Sequence, residues 1–195
     1  MRLIHFLAVL SVAAAVAQTP REPRAAPAAP VKVTRQAAPD KALILEVKIP
    51  ASQAAVWQAF TTSAGLSTWL TPNAVVDLRP GGEWTAHFPG GKTGGGTILG
   101  FVAEEELTLA AMAPEWFPSV REQRTTAKFQ FLADGDQTLV RLTQTGWKKG
   151  EEWDRAYDYL ANGNAQLLAT LLRRFTTGPI DWEKEWNLPK KTASN

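Results

Sequence analysis

Residues 151–175 read EEWDRAYDYLANGNAQLLATLLRRF. Trp153, Tyr157, Leu160, Asn164, Leu167, Leu168, Leu171 and Phe175 recur at three- and four-residue spacings, the stripe of an amphipathic helix. At about 1.5 Å per residue this helix runs to roughly 40 Å, longer than most globular helices. A helix that long with one wide apolar face needs a broad surface to lie on, and the sequence before it has to build that surface. Asn164 interrupts the stripe. An amide on a buried helix face costs on the order of 1–3 kcal/mol unless it is hydrogen-bonded. Two readings stand: a partner on the facing sheet or a bound water, and a polar anchor for a ligand. Gly163 beside it costs about 1 kcal/mol of helix stability relative to Ala, which points to close backbone approach or a local bend.

Upstream, the domain opens with a strand in which Leu43, Leu45, Val47 and Ile49 alternate with Ile44, Glu46 and Lys48. Pro50 ends it, and Ser52 predicts the N-cap of a helix through Thr62 that buries Ala55, Val56, Ala59 and Phe60. Gly65 reads as a break before a second short helix over residues 66–70. Strand patterning then covers residues 75–78, 82–88, 97–104, 107–112, 121–132 and 138–145. Turn signals at 80–82, 89–91, 104–106, 114–118 and 134–136 separate these segments. Short connections between successive strands imply an antiparallel meander. The expected fold is α+β: a curved antiparallel sheet of about seven strands wrapped around a long C-terminal helix, with two short helices after the first strand. A sheet of that many strands twists and curls, and one straight helix cannot fill its concave side. Either large side chains fill the gap or a cavity remains.

Outside that domain, residues 1–17 read as a secretory signal peptide. Arg2 is the basic start, residues 3–16 are apolar, and Ala15-Val16-Ala17 is a small-residue cleavage pattern. The apolar run is too short to span a membrane. The expectation is therefore a secreted or periplasmic protein, cleaved after Ala17, with no integral membrane segment. Residues 18–40, rich in Ala and Pro, read as a disordered linker. Residues 41–178 form the domain and 179–195 a C-terminal tail, in which Trp182, Trp186 and Leu188 suggest one amphipathic turn packing back on the body.

Charge and composition exclude several functions. Five of the 21 basic residues precede Lys41, against two acids; from Lys41 onward 16 basic face 17 acidic residues. The folded part therefore has no excess charge to attract nucleic acid or a charged membrane surface. The chain has no cysteine, which excludes disulfides, thiol catalysis and Cys-type zinc. Of two histidines His5 lies in the leader, so two-His metal sites are excluded and any triad would have to use His87. No metal and no cofactor are implied. Gly91-Lys92-Thr93 superficially matches a phosphate loop, but the required earlier Gly is Ala86 and a strand follows instead of a helix. It reads as a hairpin tip.

The element order and several motifs resemble the START-like (SRPBCC) helix-grip superfamily. Within it, the chain is most similar to the group related to the C-terminal domain of the heat-shock-protein ATPase activator. The resemblance rests on VWQAFT at 56–61 followed by Leu66 and Trp69-Leu70, on DLRPGGEW at 77–84, on GTILG at 96–100 and on TLVRLT at 138–143. It implies a ligand cavity between sheet and last helix. Most members it implies are binders or lack a known activity; a minority of the superfamily are cyclases, aromatases or hydrolases. The family's last helix usually begins with a Gly-Trp pair, whereas Gly163 here is followed by Asn164.

The expected cavity lining is Trp69, Trp84, Phe101, Met112, Trp116, Phe129, Phe131, Tyr157, Leu160, Asn164 and Leu168, an aromatic-rich concavity with few polar groups. Residues 112–118 are a candidate lid. In the strand at 82–88, Trp84, Ala86 and Phe88 face one way and Glu83, Thr85 and His87 the other. With the apolar set inward, His87 is an exposed strand residue. The competing reading turns it inward as a general base with Tyr157 or Glu83. Asp77 and Arg79 read as closing a turn. Three functions follow as expectations: an exported binder of a small hydrophobic molecule, a cyclase- or hydrolase-type enzyme in the same cavity, or a co-chaperone-like protein-interaction module.

Overall fold

The structure, a computed structural model, describes residues 30–186. The expected signal peptide and most of the expected linker, with Leu188 of the tail, lie outside the described residues. One antiparallel sheet carries the fold. Its strands are β1 (Lys32–Gln36), β2 (Ala42–Ile49), β3 (Asn73–Val76), β4 (Glu83–His87), β5 (Thr93–Val102), β6 (Glu106–Met112), β7 (Thr125–Asp134) and β8 (Gln137–Thr145). They lie in the order β1-β2-β8-β7-β6-β5-β4-β3. From β3 to β8 this is a meander; β2 closes onto β8 because helices α1 (Gln53–Thr61) and α2 (Ser63–Leu66) carry the chain across to the far edge.

The sheet has eight strands where about seven were expected. The extra strand, β1, comes from the segment read as linker, so that reading is corrected for residues 32–36. Composition hid it because Ala and Pro dominate around it, yet Val31 is buried and Val33 packs on the core. An edge strand pairs on one side only and tolerates the polar residues between them. Three other boundaries differ. β5 starts at Thr93 because Gly94-Gly95-Gly96 are strand residues beside β4. Residues 118–123 form a short helix, α3 (Pro118–Gln123), so β7 begins at Thr125. Gly65 lies inside α2 and does not break it: a Cβ there would sit 2.2 Å from the Gln58 carbonyl oxygen, so Gly lets α2 turn tightly against α1.

Alternation puts one face of the sheet inward. Leu43, Leu45, Val47 and Ile49 of β2, Phe129 and Phe131 of β7, and Val140 and Leu142 of β8 are all buried. Helix α1, capped by the Ser52 hydroxyl accepting from the Ala55 N–H, covers β7 and β8 with Val56, Trp57, Ala59 and Phe60. Helix α4 (Glu151–Thr177) covers β2 and β1 at its start. It then crosses the sheet, with Asn164 reaching Gln144 of β8 and Arg174 reaching Thr68 beyond α2. Acidic Glu151, Glu152 and Asp154 occupy its first turn, the favourable end of the helix dipole for negative charge. Glu152 also accepts from the Ser119 and Val120 N–H groups and the Ser119 hydroxyl, capping α3. The tail does pack back. Trp182, in α5 (Trp182–Glu185), donates its indole N–H to the Ser67 carbonyl at 2.7 Å.

Tyr157 fastens the start of α4 to the sheet. Its hydroxyl donates to the Ala42 carbonyl at 2.9 Å, and its ring stands edge-on to Trp147 at 4.9 Å. Tyr157→Phe is expected to cost about 1 kcal/mol in urea unfolding, the worth of one such bond. A neutral effect would show that the hydroxyl bears no load.

Glu46 of β2 joins two neighbouring strands: Arg141 of β8 donates to it at 2.8 Å and Lys32 of β1 pairs with it at 3.3 Å. The Arg141 bond holds the Glu46 carboxyl below its ordinary value near 4.5; burial opposes the shift, and Lys32 adds to it. A lowered carboxylate stabilises fully above its unfolded value, and that contribution is lost as pH falls through the folded one. Glu46→Gln should therefore cost about 0.2–1 kcal/mol at neutral pH, the range for a pair with partly exposed partners. It should also flatten the decline in Tm below about pH 4.5. Parallel Tm-against-pH curves for the two proteins would contradict this.

Candidate ligand cavity

Between the middle of α4 and the inner face of the sheet lies a cleft of about 230 Å³. Trp84 and Phe88 from β4 and its end, Gly94 and Gly95 from β5, and Leu109, Ala111 and Met112 from β6 form its floor. Ala127 and Phe129 of β7 and Leu142 and Gln144 of β8 continue that floor. Leu160, Gly163, Asn164 and Leu167 of α4 form the roof. Glycine lets β5 lie close against β4 beside the cleft. At Gly95, with φ +123°, a Cβ would lie 2.0 Å from the Trp84 carbonyl oxygen, so the strand can hold no side chain there. Small Ala111 and Ala127 beside it leave room that larger residues would fill. Among the described residues, no charged residue lines the cleft.

Its polar groups are few and linked. Gln144, 3% exposed, donates through Nε2 to the Thr125 hydroxyl at 2.7 Å. Its Oε1 accepts from Nδ2 of Asn164 at 2.7 Å. A buried amide bonded at both ends is a fixed group, because breaking either bond would leave a buried polar atom unpaired. The break in the helix stripe is thus met by a partner on the sheet, and both amides line the cleft.

A second chamber of about 430 Å³ adjoins the first and shares Phe88, Thr93, Gly94 and Pro114 with it. Lys92, Glu115, Trp116 and Tyr159 frame this outer space. Trp116 is half exposed, stands edge-on to Tyr159 at 5.5 Å and has the Lys92 ammonium 5.9 Å from its ring. Residues 112–118 therefore border the mouth. Arg121 of α3 braces them, donating to the Ala113 carbonyl at 2.6 Å and to the Thr93 hydroxyl at 3.2 Å.

Among the expected lining residues, Trp84, Met112, Phe129, Leu160 and Asn164 meet at the inner cleft and Trp116 stands at the outer chamber. Five lie elsewhere. Trp69 is fully buried under α1, its indole N–H donating to the Ala59 carbonyl. Phe131 packs edge-on to Trp57 and Phe60. Leu168 is buried in the core, and Phe101 is partly exposed near Trp57. Tyr157 bonds to the β2 backbone. Gln144, Thr125 and the glycine run were missed. A buried Gln at the inward end of β8 was the available signal, since Val140, Leu142 and Gln144 share one face.

His87 and Glu83 are exposed and line neither chamber. Tyr157 is bonded to β2, five strand positions from β4, or about 24 Å along the sheet. These three residues do not form one catalytic group. Asp77 and Arg79 pair at 2.8 Å beside the turn at 80–82, where a Cβ on Gly82 would sit 2.0 Å from the Asp77 carbonyl oxygen. Trp182 and Trp186 are half-buried against each other, their rings 5.1 Å apart, and do not make an open patch. Among the described residues, no cluster of three metal-ligating side chains occurs, and no helix is long and apolar enough to cross a membrane.

A curved antiparallel sheet gripping a long C-terminal helix over an apolar cleft defines a helix-grip protein of the START-like (SRPBCC) superfamily. Residues 50–175 match the family described as Activator of Hsp90 ATPase homolog 1-like protein, and the chain belongs to that family. Three solved structures illustrate the likeness. The Aha1 dimer from Colwellia psychrerythraea is 21% identical, with a TM-score of 0.57 over 70% of this chain and 97% of that one. CalU16 from Micromonospora echinospora is 20% identical, with a TM-score of 0.56 over 80% and 88%. Protein Ms6760 from Mycobacterium smegmatis is 19% identical, with a TM-score of 0.60 over 75% and 98%. At these identities the likeness is one of fold. No curated protein matches the chain significantly in sequence.

Proposed function

We propose that this chain is an exported, noncatalytic binder of a small hydrophobic molecule, held between the sheet and α4. Export rests on residues 1–17, with their basic start, apolar run and Ala-x-Ala end. Binding rests on the uncharged, largely apolar cleft beneath Leu160 and Asn164, in a fold that supports ligand-binding or cyclase-like roles in general. Its size favours a small occupant: an apolar cavity of about 150 Å³ holds benzene, and drug-sized ligands take about 300 Å³ or more. Burying such a molecule gains about 25 cal/mol per Å² of apolar surface. The outer chamber, framed by Trp116 and Tyr159, is the way in. A noncatalytic role is favoured because His87, the single histidine beyond the leader, stands outside both chambers. Native mass spectrometry of the protein purified from its own host tests the reading. A population carrying a bound small mass that organic solvent releases is expected. Protein that is empty in every preparation would overturn it.

A further inference from the structure

Resting on that reading, we infer that the ligand is an uncharged one- or two-ring molecule carrying a hydroxyl group, which donates its proton to Oδ1 of Asn164. Three observations carry this. The inner cleft, about 230 Å³, lies between the size that holds benzene and the size that holds a drug. Among the described residues, no Lys, Arg, Asp or Glu lines its walls, so a charged group placed there would lose its hydration without a counterion. Its amides are already oriented. Thr125 takes the Gln144 N–H, and Gln144 Oε1 takes the Asn164 Nδ2 N–H. That bond leaves the carbonyl oxygen of Asn164 without a donor among the described residues. Every fully buried side-chain polar atom among them is partnered, so this oxygen belongs to a residue that lines the cleft and is still open to a partner.

A wholly apolar ligand would cover that oxygen and leave it unpaired, at the cost of its hydration. A ligand hydroxyl restores the bond. A site built around a polar group discriminates strongly against the analogue lacking it, because its own buried partner is left stranded. Leu160, Phe129 and Trp84 accommodate the rings, while the Asn164–Gln144–Thr125 chain reads the hydroxyl.

Calorimetric titration of the full chain with 2-naphthol, naphthalene and 2-naphthoate tests this. 2-Naphthol should bind at least tenfold tighter than either of the others. Asn164→Leu should remove the preference over naphthalene while keeping naphthalene binding. Thr125→Val, which frees Gln144 without touching the ligand, should reduce the preference several-fold, and it guards against a folding defect in the first variant. Equal affinity for 2-naphthol and naphthalene, or an unchanged preference in both variants, would overturn the hydroxyl assignment and leave the binding role standing. Preference for the naphthoate would overturn the neutral-ligand assignment. Failure of all three to bind would overturn both readings.

Discussion

Phe60→Ala should destabilise the protein by about 3–5 kcal/mol, measured by urea unfolding. Phe60 is fully buried, and its ring lies 5.0 Å from each of Trp69, Phe129 and Phe131 and 6.2 Å from Trp84. It is the point where α1 meets β4, β7 and the turn after α2. Its backbone matters as well: the Trp84 indole donates to the Phe60 carbonyl at 2.8 Å, and the Trp69 indole to Ala59 at 2.9 Å. Both indole bonds depend on α1 staying seated. Removing the ring leaves a cavity that four large aromatics, two of them held by indole hydrogen bonds, cannot close by small shifts, which puts the cost at the upper end for truncations. Against a total stability of about 5–15 kcal/mol, that loss is severe. A cost below about 1.5 kcal/mol would mean the aromatic cluster is not the core of the fold.

Ala127→Phe should abolish binding while the protein stays folded. Ala127 faces inward from β7, opposite Leu109 in register, and both line the inner cleft. A phenyl ring set there takes most of a space of about 230 Å³, since a benzene needs a cavity of about 150 Å³. Ligand affinity should fall at least 100-fold, about 2.7 kcal/mol. Overpacking costs about 1–3 kcal/mol of stability, less than a typical domain has to lose. Phe101→Ala is the matched control: Phe101 is partly exposed and away from both chambers, so binding should be unaffected. Full affinity in Ala127→Phe would place the ligand somewhere other than this cleft.

The fold was legible because its signals are periodic. Alternation in residues 43–49 marked β2, and the three-to-four spacing in residues 153–175 marked α4. Both patterns report burial on one face, which is what the tertiary structure then supplies. Features set by contacts between distant segments were hidden. β1 is a strand because Val31 and Val33 reach the core and β2 offers a free edge, and neither fact is local. Gly94-Gly95-Gly96 fall outside the expected strand at 97–104 because glycine is a poor strand former, yet Gly95 and Gly96 lie where the carbonyls of Trp84 and Ala110 exclude any Cβ.

The candidate site was half legible for a related reason. An aromatic residue near a cleft looks the same in sequence whether it lines the cleft or fills the core beside it. Trp84 and Phe129 do the former; Trp69 and Phe131 do the latter. Asn164 was visible because a polar residue on an apolar stripe has to be satisfied. Its partner Gln144 lies 20 residues away, in another element, and only the register of β8 under α4 brings them together.

In the proposed function, a small hydrophobic molecule occupies the space under Leu160 and Asn164. Methyl-resolved NMR of the labelled protein, titrated with 2-naphthol, tests it most directly. Saturable shifts are expected at the methyls of Leu109, Ala127, Leu142, Leu160 and Leu167, all lining the cleft. Leu99 and Leu132, exposed on the surface, should not respond. Shifts confined to the surface leucines, or none at saturation, would contradict it.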